Sequence, residues 1–367
     1  MQAAVFSRIG ETPLIADVPA PVAATGDVVV DVVAAPVLAY ANEIIGGQRP
    51  MLFELPFVPG TGAIGRISAV GAGATETEIG SWVYCDPTLR ARDGQGLPAI
   101  TLQGLTANGP AALPVYRQYP NGSWAEKLLL PLENVVPLGD IEPDHAARWL
   151  ALGTMLVPYG GLLSVGLSAG ETVVVNGATG SFGSAAVAVA LAMGAARVVA
   201  TGRNGAVLEA LSREFGDRVR VARVVGDPAT DTTTIQAAAD QPIDVVFDIL
   251  PPQAHAAQVL AAVRAVRSGG RVSLMGGVGM TGGEELVLPY PWLMRNNITI
   301  RGQWMYPRDA IPRLIAMAKN GLIDLTRYQF AEFALADVSE AIAHSAKTSG
   351  PFEQTALRFC SRNVLVK

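Results

Sequence analysis

The sequence predicts an α/β protein built on a doubly wound parallel sheet, with a β-rich region ahead of it. Three observations carry that expectation. From about residue 155, apolar strand-like runs alternate with helix-like runs, the pattern of a parallel sheet with crossover helices. The first of these runs leads into three closely spaced glycines and then a helix. Before residue 150 the texture differs: short β-branched runs are interrupted by Gly, Pro and Asn, without a helical period.

The elements follow in order. Residues 28–35 and 63–71 read as strands from their β-branched content, and Gly71, Gly73 and Gly80 mark turns through 72–82. Residues 86–122 have no clear period and read as a lobe or long loop, and 124–137 return to strand character. A strand at 172–176, a helix at 184–193, a strand at 197–201 and a helix at 206–214 open the alternating part. Further strands are expected at 219–225, 243–249, 271–275 and 298–302, with a helix at 254–267. Beyond residue 305 come a helix (310–319), a short strand (330–335), a helix (338–347) and a final strand, read as a return to the first region. The expected domains are therefore 1–155, 156–303 and the returning 304–367.

Composition bounds the function. Half of the 367 residues are hydrophobic and 16% are charged, enough for two sizeable cores. The net charge is −5 and no Lys/Arg stripe forms, which argues against a nucleic-acid partner. The most apolar run, 185–196, is too short to span a bilayer and reads as a buried helix. Cys85 and Cys360 are the two cysteines, too few for a disulfide framework; with a start that lacks a secretory leader they predict a reducing cytoplasm.

The strongest motif runs from Val173 to Ser184: a strand, then Gly177, Gly180 and Gly183, then a helix. A pyrophosphate accepts hydrogen bonds from free N–H groups at a helix N-terminus, and it approaches closely only where no Cβ intrudes. With Ala178 at the first position, the pattern is A-x-G-x-x-G preceded by Gly177. Followed by five more strands, it predicts a Rossmann sheet binding a dinucleotide through Thr179, Gly180, Ser181, Phe182 and Gly183. Ile249, Gly276 and Gly277, at the ends of later strands, complete the candidate set. NAD enzymes usually place an acid after the second strand to hold the ribose hydroxyls. Here that strand runs into Gly202-Arg203-Asn204. Without the acid nothing repels a 2′-phosphate, and Arg203 can pair with it, so NADP(H) is the expected cofactor. A solvated loop arginine is the alternative reading of Arg203.

Taken together, these stretches resemble the medium-chain dehydrogenase/reductase superfamily. The likeness rests on Phe57–Gly65 (FVPGTGAIG), Val70–Gly73, Gly122–Glu126 (GSWAE), the glycine loop, Asp244–Asp248 (DVVFD) and Gly269–Val272, and it covers almost the whole chain. It implies that the β-rich region is a GroES-like catalytic domain. Zinc enzymes of this superfamily carry three ligand positions, occupied here by Ala39, Thr61 and Gly153, and their structural-zinc lobe carries four cysteines where this chain has Cys85 alone. The residues predict no metal. The resemblance then narrows to the zinc-free quinone oxidoreductase and enoyl reductase branch, which implies hydride transfer from NADPH to a quinone or polarised C=C in a cleft between the domains. A zinc-free alcohol dehydrogenase and a non-catalytic NADPH sensor or scaffold are the alternatives.

Tyr40, next to the lost ligand position, is the candidate catalytic residue: its hydroxyl can donate a proton or bind a carbonyl. A packing tyrosine, with water as the proton source, stays open. His145, His255 and His344 read as structural, and Glu284-Glu285 as a solvated turn. Trp292, Trp304, Met305 and Tyr306 line an apolar pocket, a subunit contact or a core. The sixth strand, as a β-branched sheet edge, predicts a homodimer.

Overall fold

The structure is a computed structural model that describes residues 1–93, 99–348 and 350–359. Cys360 lies outside the described residues. Contacts divide the chain into two compact units. The first holds Met1–Gly153 and the later segments starting at Leu325 and Glu353; the second holds Thr154–Asp324 with Gly350–Phe352. Residues 304–324, assigned from sequence to the returning segment, group with the second unit. The reason is local: Tyr306, Ala310, Ile311 and Leu314 are all buried, and a Cβ on Gly160 would touch Tyr306.

In the second unit, six parallel strands lie in the sheet order third, second, first, fourth, fifth, sixth. They are Thr172–Asn176, Arg197–Gly202, Val219–Arg223, Val245–Asp248, Arg271–Leu274 and Thr299–Gly302. The first strand, Thr-Val-Val-Val-Asn, is buried along its whole length, as a central strand with both faces covered must be. This order places a topological switch between the first and fourth strands, and ligands of such sheets bind beyond the carboxyl ends of the strands there.

Several helices depart from the sequence expectation, among them Ala151–Ser164 and Tyr290–Arg295, where none was expected. The helix after the glycines starts at Ser181, not 184, because Ser181 and Phe182 already have helical geometry behind Gly180. A helix at Pro228–Ala239 was not foreseen, since its four threonines obscure the helical period. Its start is nonetheless written in the chain: Asp227 accepts a hydrogen bond from the Thr230 N–H, and Pro228 sits in the first turn.

In the first unit, the long strand Asp27–Val37 is the hub. It pairs antiparallel with Ala63–Val70, Lys127–Pro131 and Glu353–Arg358, so the last described strand completes a sheet begun near the start of the chain. Residues 86–122 are not an irregular loop. They contain a small antiparallel sheet (Thr88–Arg90, Ile100–Leu102, Thr106–Ala107) and a helix, Leu113–Gln118. Buried Asn134 binds that lobe down by donating to the Asp86 and Thr88 carbonyl oxygens at 2.9 and 3.0 Å.

Candidate functional site

Between the end of the first parallel strand at Asn176 and the start of the helix at Ser181, the chain turns through Gly177, Ala178, Thr179 and Gly180. Gly177 has φ +96°, where a side chain is strained. A Cβ on Gly183 would stand 2.0 Å from the Gly177 carbonyl oxygen, so the helix reaches this turn only because residue 183 has none. Gly180 is a different case. Its φ of −95° suits any residue, and a Cβ there would meet nothing within 4 Å. The open space beside Gly180 faces the first N–H groups of a twelve-residue helix, which have no helical partner. This cradle fits a dinucleotide pyrophosphate.

The other candidate residues border the same strand ends. Ala178 N–H donates to the Thr201 carbonyl at 2.9 Å, joining the glycine turn to the second strand. A Cβ on Gly202 would lie 2.5 Å from Thr179 Cγ2, so Thr179 occupies the space through which an acidic side chain would leave position 202. Arg203 and Asn204 follow, both exposed. Asn204 has a structural duty as well: its side chain accepts from the Val207 N–H at 3.3 Å and caps the next helix. Sequence reading missed Arg223, the exposed last residue of the third strand, which is the register partner of Gly202. Ile249 N–H donates to the Asn176 carbonyl at 3.0 Å, and Gly277 N–H to the Leu250 carbonyl at 2.8 Å. A Cβ on Gly276 would come within 2.5 Å of Asp248 Oδ2.

Behind these strand ends runs a buried polar chain that the sequence alone did not reveal. Thr201 Oγ1 donates to Asn176 Oδ1 at 2.8 Å, and Asn176 Nδ2 donates to Asp248 Oδ1 at 2.8 Å. The three residues come from the second, first and fourth strands, so the chain bridges the switch point. Burial pushes the Asp248 carboxyl up to about 7, against the opposing effect of its hydrogen bonds from Asn176 and the Leu250 backbone.

The first unit holds the remaining candidates. Leu38 and Ala41, on either side of Ala39-Tyr40, share a small apolar cavity with Phe6, Phe57, Thr61 and Trp124. Two of the three zinc-ligand positions thus lie in or beside an apolar wall. Alanine and glycine offer no donor at 39 and 153, and no group of three His, Cys, Asp or Glu among the described residues could hold a metal ion. The residues do not fit a catalytic zinc. Cys85 is buried in the apolar core, and burial raises its thiol far from the reactive thiolate. Tyr40 precedes the short helix Ala41–Ile45 and is half-buried, with the Arg49 guanidinium 3.9 Å over its ring. Burial raises its hydroxyl, more than Arg49 lowers it. Two of the three histidines serve structure: the His255 backbone N–H binds Gln258 Oε1 in a capping box, and His344 Nδ1 lies 3.0 Å from Thr355 Oγ1, while His145 is exposed.

Two family models match in tandem: "Alcohol dehydrogenase GroES-like domain" over residues 24–140 and "Zinc-binding dehydrogenase" over 182–320. An L-threonine 3-dehydrogenase of Ruegeria pomeroyi is 32% identical over 230 residues, 60% of this chain and 61% of that protein. The chain therefore spans about three fifths of that relative. An L-threonine 3-dehydrogenase of Deinococcus radiodurans is 28% identical over 78% of this chain and 77% of its own length. Among solved structures, an alcohol dehydrogenase of E. coli CFT073 complexed with NADH superposes with a TM-score of 0.78 at 19% identity, covering 98% of this chain and 99% of that one. At that identity the likeness speaks for the fold.

Proposed function

Because the chain belongs to the medium-chain dehydrogenase/reductase superfamily, we propose that it is a zinc-independent, NADPH-dependent oxidoreductase that reduces a quinone or an electron-poor C=C. The observation that carries the proposal is that Ala39, Thr61 and Gly153 put no His, Cys, Asp or Glu at the three ligand positions, two of which lie in or beside an apolar cavity. An alcohol needs a Lewis acid or a strong base to hold its alkoxide, whereas a conjugated carbonyl is polarised before it binds. The dinucleotide, when bound, supplies the hydride. The chain's own residues bind and orient: the Gly177–Gly183 turn takes the pyrophosphate, and Arg203, with Arg223 beside Gly202, takes the 2′-phosphate. The cavity around Phe57 and Trp124 takes an apolar part of the substrate. Tyr40 gives the proton that completes the reduction.

A second reading has its own support. The two curated relatives named above are L-threonine 3-dehydrogenases, which favours oxidation of an alcohol with the same fold. The experiment that separates the two offers NADPH with a panel of quinones and enones, and NAD⁺ or NADP⁺ with simple alcohols and threonine. Turnover of quinones or enones alone supports the proposal. Turnover of alcohols alone overturns it in favour of the second reading, and tight NADPH binding with no turnover in either arm points to a sensor or scaffold.

A further inference from the structure

The loop from Tyr40 to Arg49 closes on itself. After the helix Ala41–Ile45 the chain reverses at Gly46-Gly47, and the Gln48 and Arg49 N–H groups both donate to the Glu43 carbonyl, at 2.8 and 3.1 Å. Gly47 makes the reversal possible: its φ is +75°, and a Cβ there would lie 2.8 Å from Ile9 Cγ2. The reversal lays Arg49 on Tyr40, guanidinium carbon 3.9 Å from the ring centroid. The Arg49 side chain is 11% exposed, yet among the described residues its ion pair is to Glu43 alone, at 3.5 Å, and its Nε is buried there without a hydrogen-bond partner. A cation this enclosed and this poorly paired is unfavourable unless something else compensates it. The face of the Tyr40 ring does so in part, and a negative charge on that ring would do so far better.

We propose that Arg49 is a positioning residue for Tyr40: it holds the phenol ring in place and offsets the charge the ring acquires on giving up its proton. The proposal rests on the reading of Tyr40 as proton donor. The step balances as follows. Hydride arrives at the β-carbon of an enone and the π electrons move onto the carbonyl oxygen. The Tyr40 O–H bond then breaks, its proton forms the new C–H bond at the α-carbon, and the C=O bond re-forms. Its electron pair stays on the phenolate oxygen under the Arg49 cation until water reprotonates it. The helix packed against 41–45 carries Glu340, His344 and Lys347, and His344 there is held by Thr355. Arg49 and Glu43 are the charges acting on the phenol.

The test compares Arg49→Met, Arg49→Gln and Arg49→Lys in the full-length protein. Tyrosine ¹³Cζ NMR without substrate, with Tyr40→Phe identifying the resonance, follows the phenol directly, and kcat is measured against pH with an enone and NADPH. Removing the cation is expected to move the Tyr40 titration and the alkaline limb of kcat to higher pH. Turnover at pH 7 should fall about tenfold, the scale of one largely buried cation–π contact. Arg49→Lys should restore part of both, and either neutral variant suffices if the other fails to fold. A titration and limb that stay in place in the neutral variants, while Tyr40→Phe loses turnover, overturn the proposal alone. Full turnover in Tyr40→Phe overturns the donor reading beneath it.

Discussion

Two alanine substitutions in one turn should have opposite consequences. At Gly183 the added methyl would run into the 177–178 peptide: the Gly177 carbonyl oxygen at 2.0 Å, Ala178 Cα at 2.7 Å and Gly177 carbonyl carbon at 2.7 Å. No rotamer relieves a clash with main chain, so the helix must move off the strand. Overpacking of this kind costs about 1–3 kcal/mol, and the better helix propensity of alanine returns at most about 1 kcal/mol. At Gly180 the same methyl enters empty space at an ordinary φ, and the poorer N-cap that alanine makes is offset by the smaller entropy of the unfolded chain, so folding should change by less than about 1 kcal/mol. That empty space is where the pyrophosphate is proposed to lie. Urea denaturation reports the first effect and calorimetric titration with NADPH the second. Gly183→Ala should shift the urea midpoint, whereas Gly180→Ala should keep it and weaken NADPH at least tenfold. NADPH binding unaltered in Gly180→Ala, at unaltered stability, would refute the placement of the cofactor.

Three further outcomes follow from the same geometry. Arg203→Ala should weaken NADPH about 10- to 100-fold and NADH less than twofold, with Arg223→Ala a smaller copy of it; equal effects on both nucleotides would remove the 2′-phosphate from this corner. Asp248 should make stability fall as pH rises, because a carboxyl raised from its ordinary 3.8 to about 7 binds its proton more tightly folded than unfolded. Its contribution is complete below about pH 4 and lost through pH 7; between pH 5.5 and 8 it amounts to about 2 kcal/mol, and Asp248→Asn should flatten that slope in denaturation curves. The sixth strand, Thr299–Gly302, is the edge of its sheet and lies near exposed Val287, Tyr290 and Met294, so light scattering at micromolar concentration should give a dimer, and a monomer would contradict this edge pairing.

Much of this was legible in the chain because the relevant physics is local. A buried parallel strand must be continuously apolar, so 172–176, 197–201 and 243–249 announce themselves, and a phosphate turn needs glycine at fixed spacing. The 86–122 lobe hid its strands because each is only two or three residues long, too short to display a period. The Thr201–Asn176–Asp248 chain joins residues 25 and 72 apart in sequence, and nothing in a linear reading brings them together. Arg223 meets Gly202 only through strand register. Arg49 is nine residues from Tyr40, yet the contact depends on a reversal at Gly47 that a sequence scan reads as one more turn.

The central claim is that hydride passes from NADPH to a carbon already activated by conjugation. Deuterium transfer tests it most directly. The enzyme is given NADPH deuterated at the transferring C4 position with an enone, and the product is analysed by mass spectrometry and NMR. One deuterium at the β-carbon and a solvent-derived hydrogen at the α-carbon is the predicted result. No deuterium in any enone tried, alongside deuterium passing from labelled alcohols to NAD⁺ or NADP⁺, would contradict it.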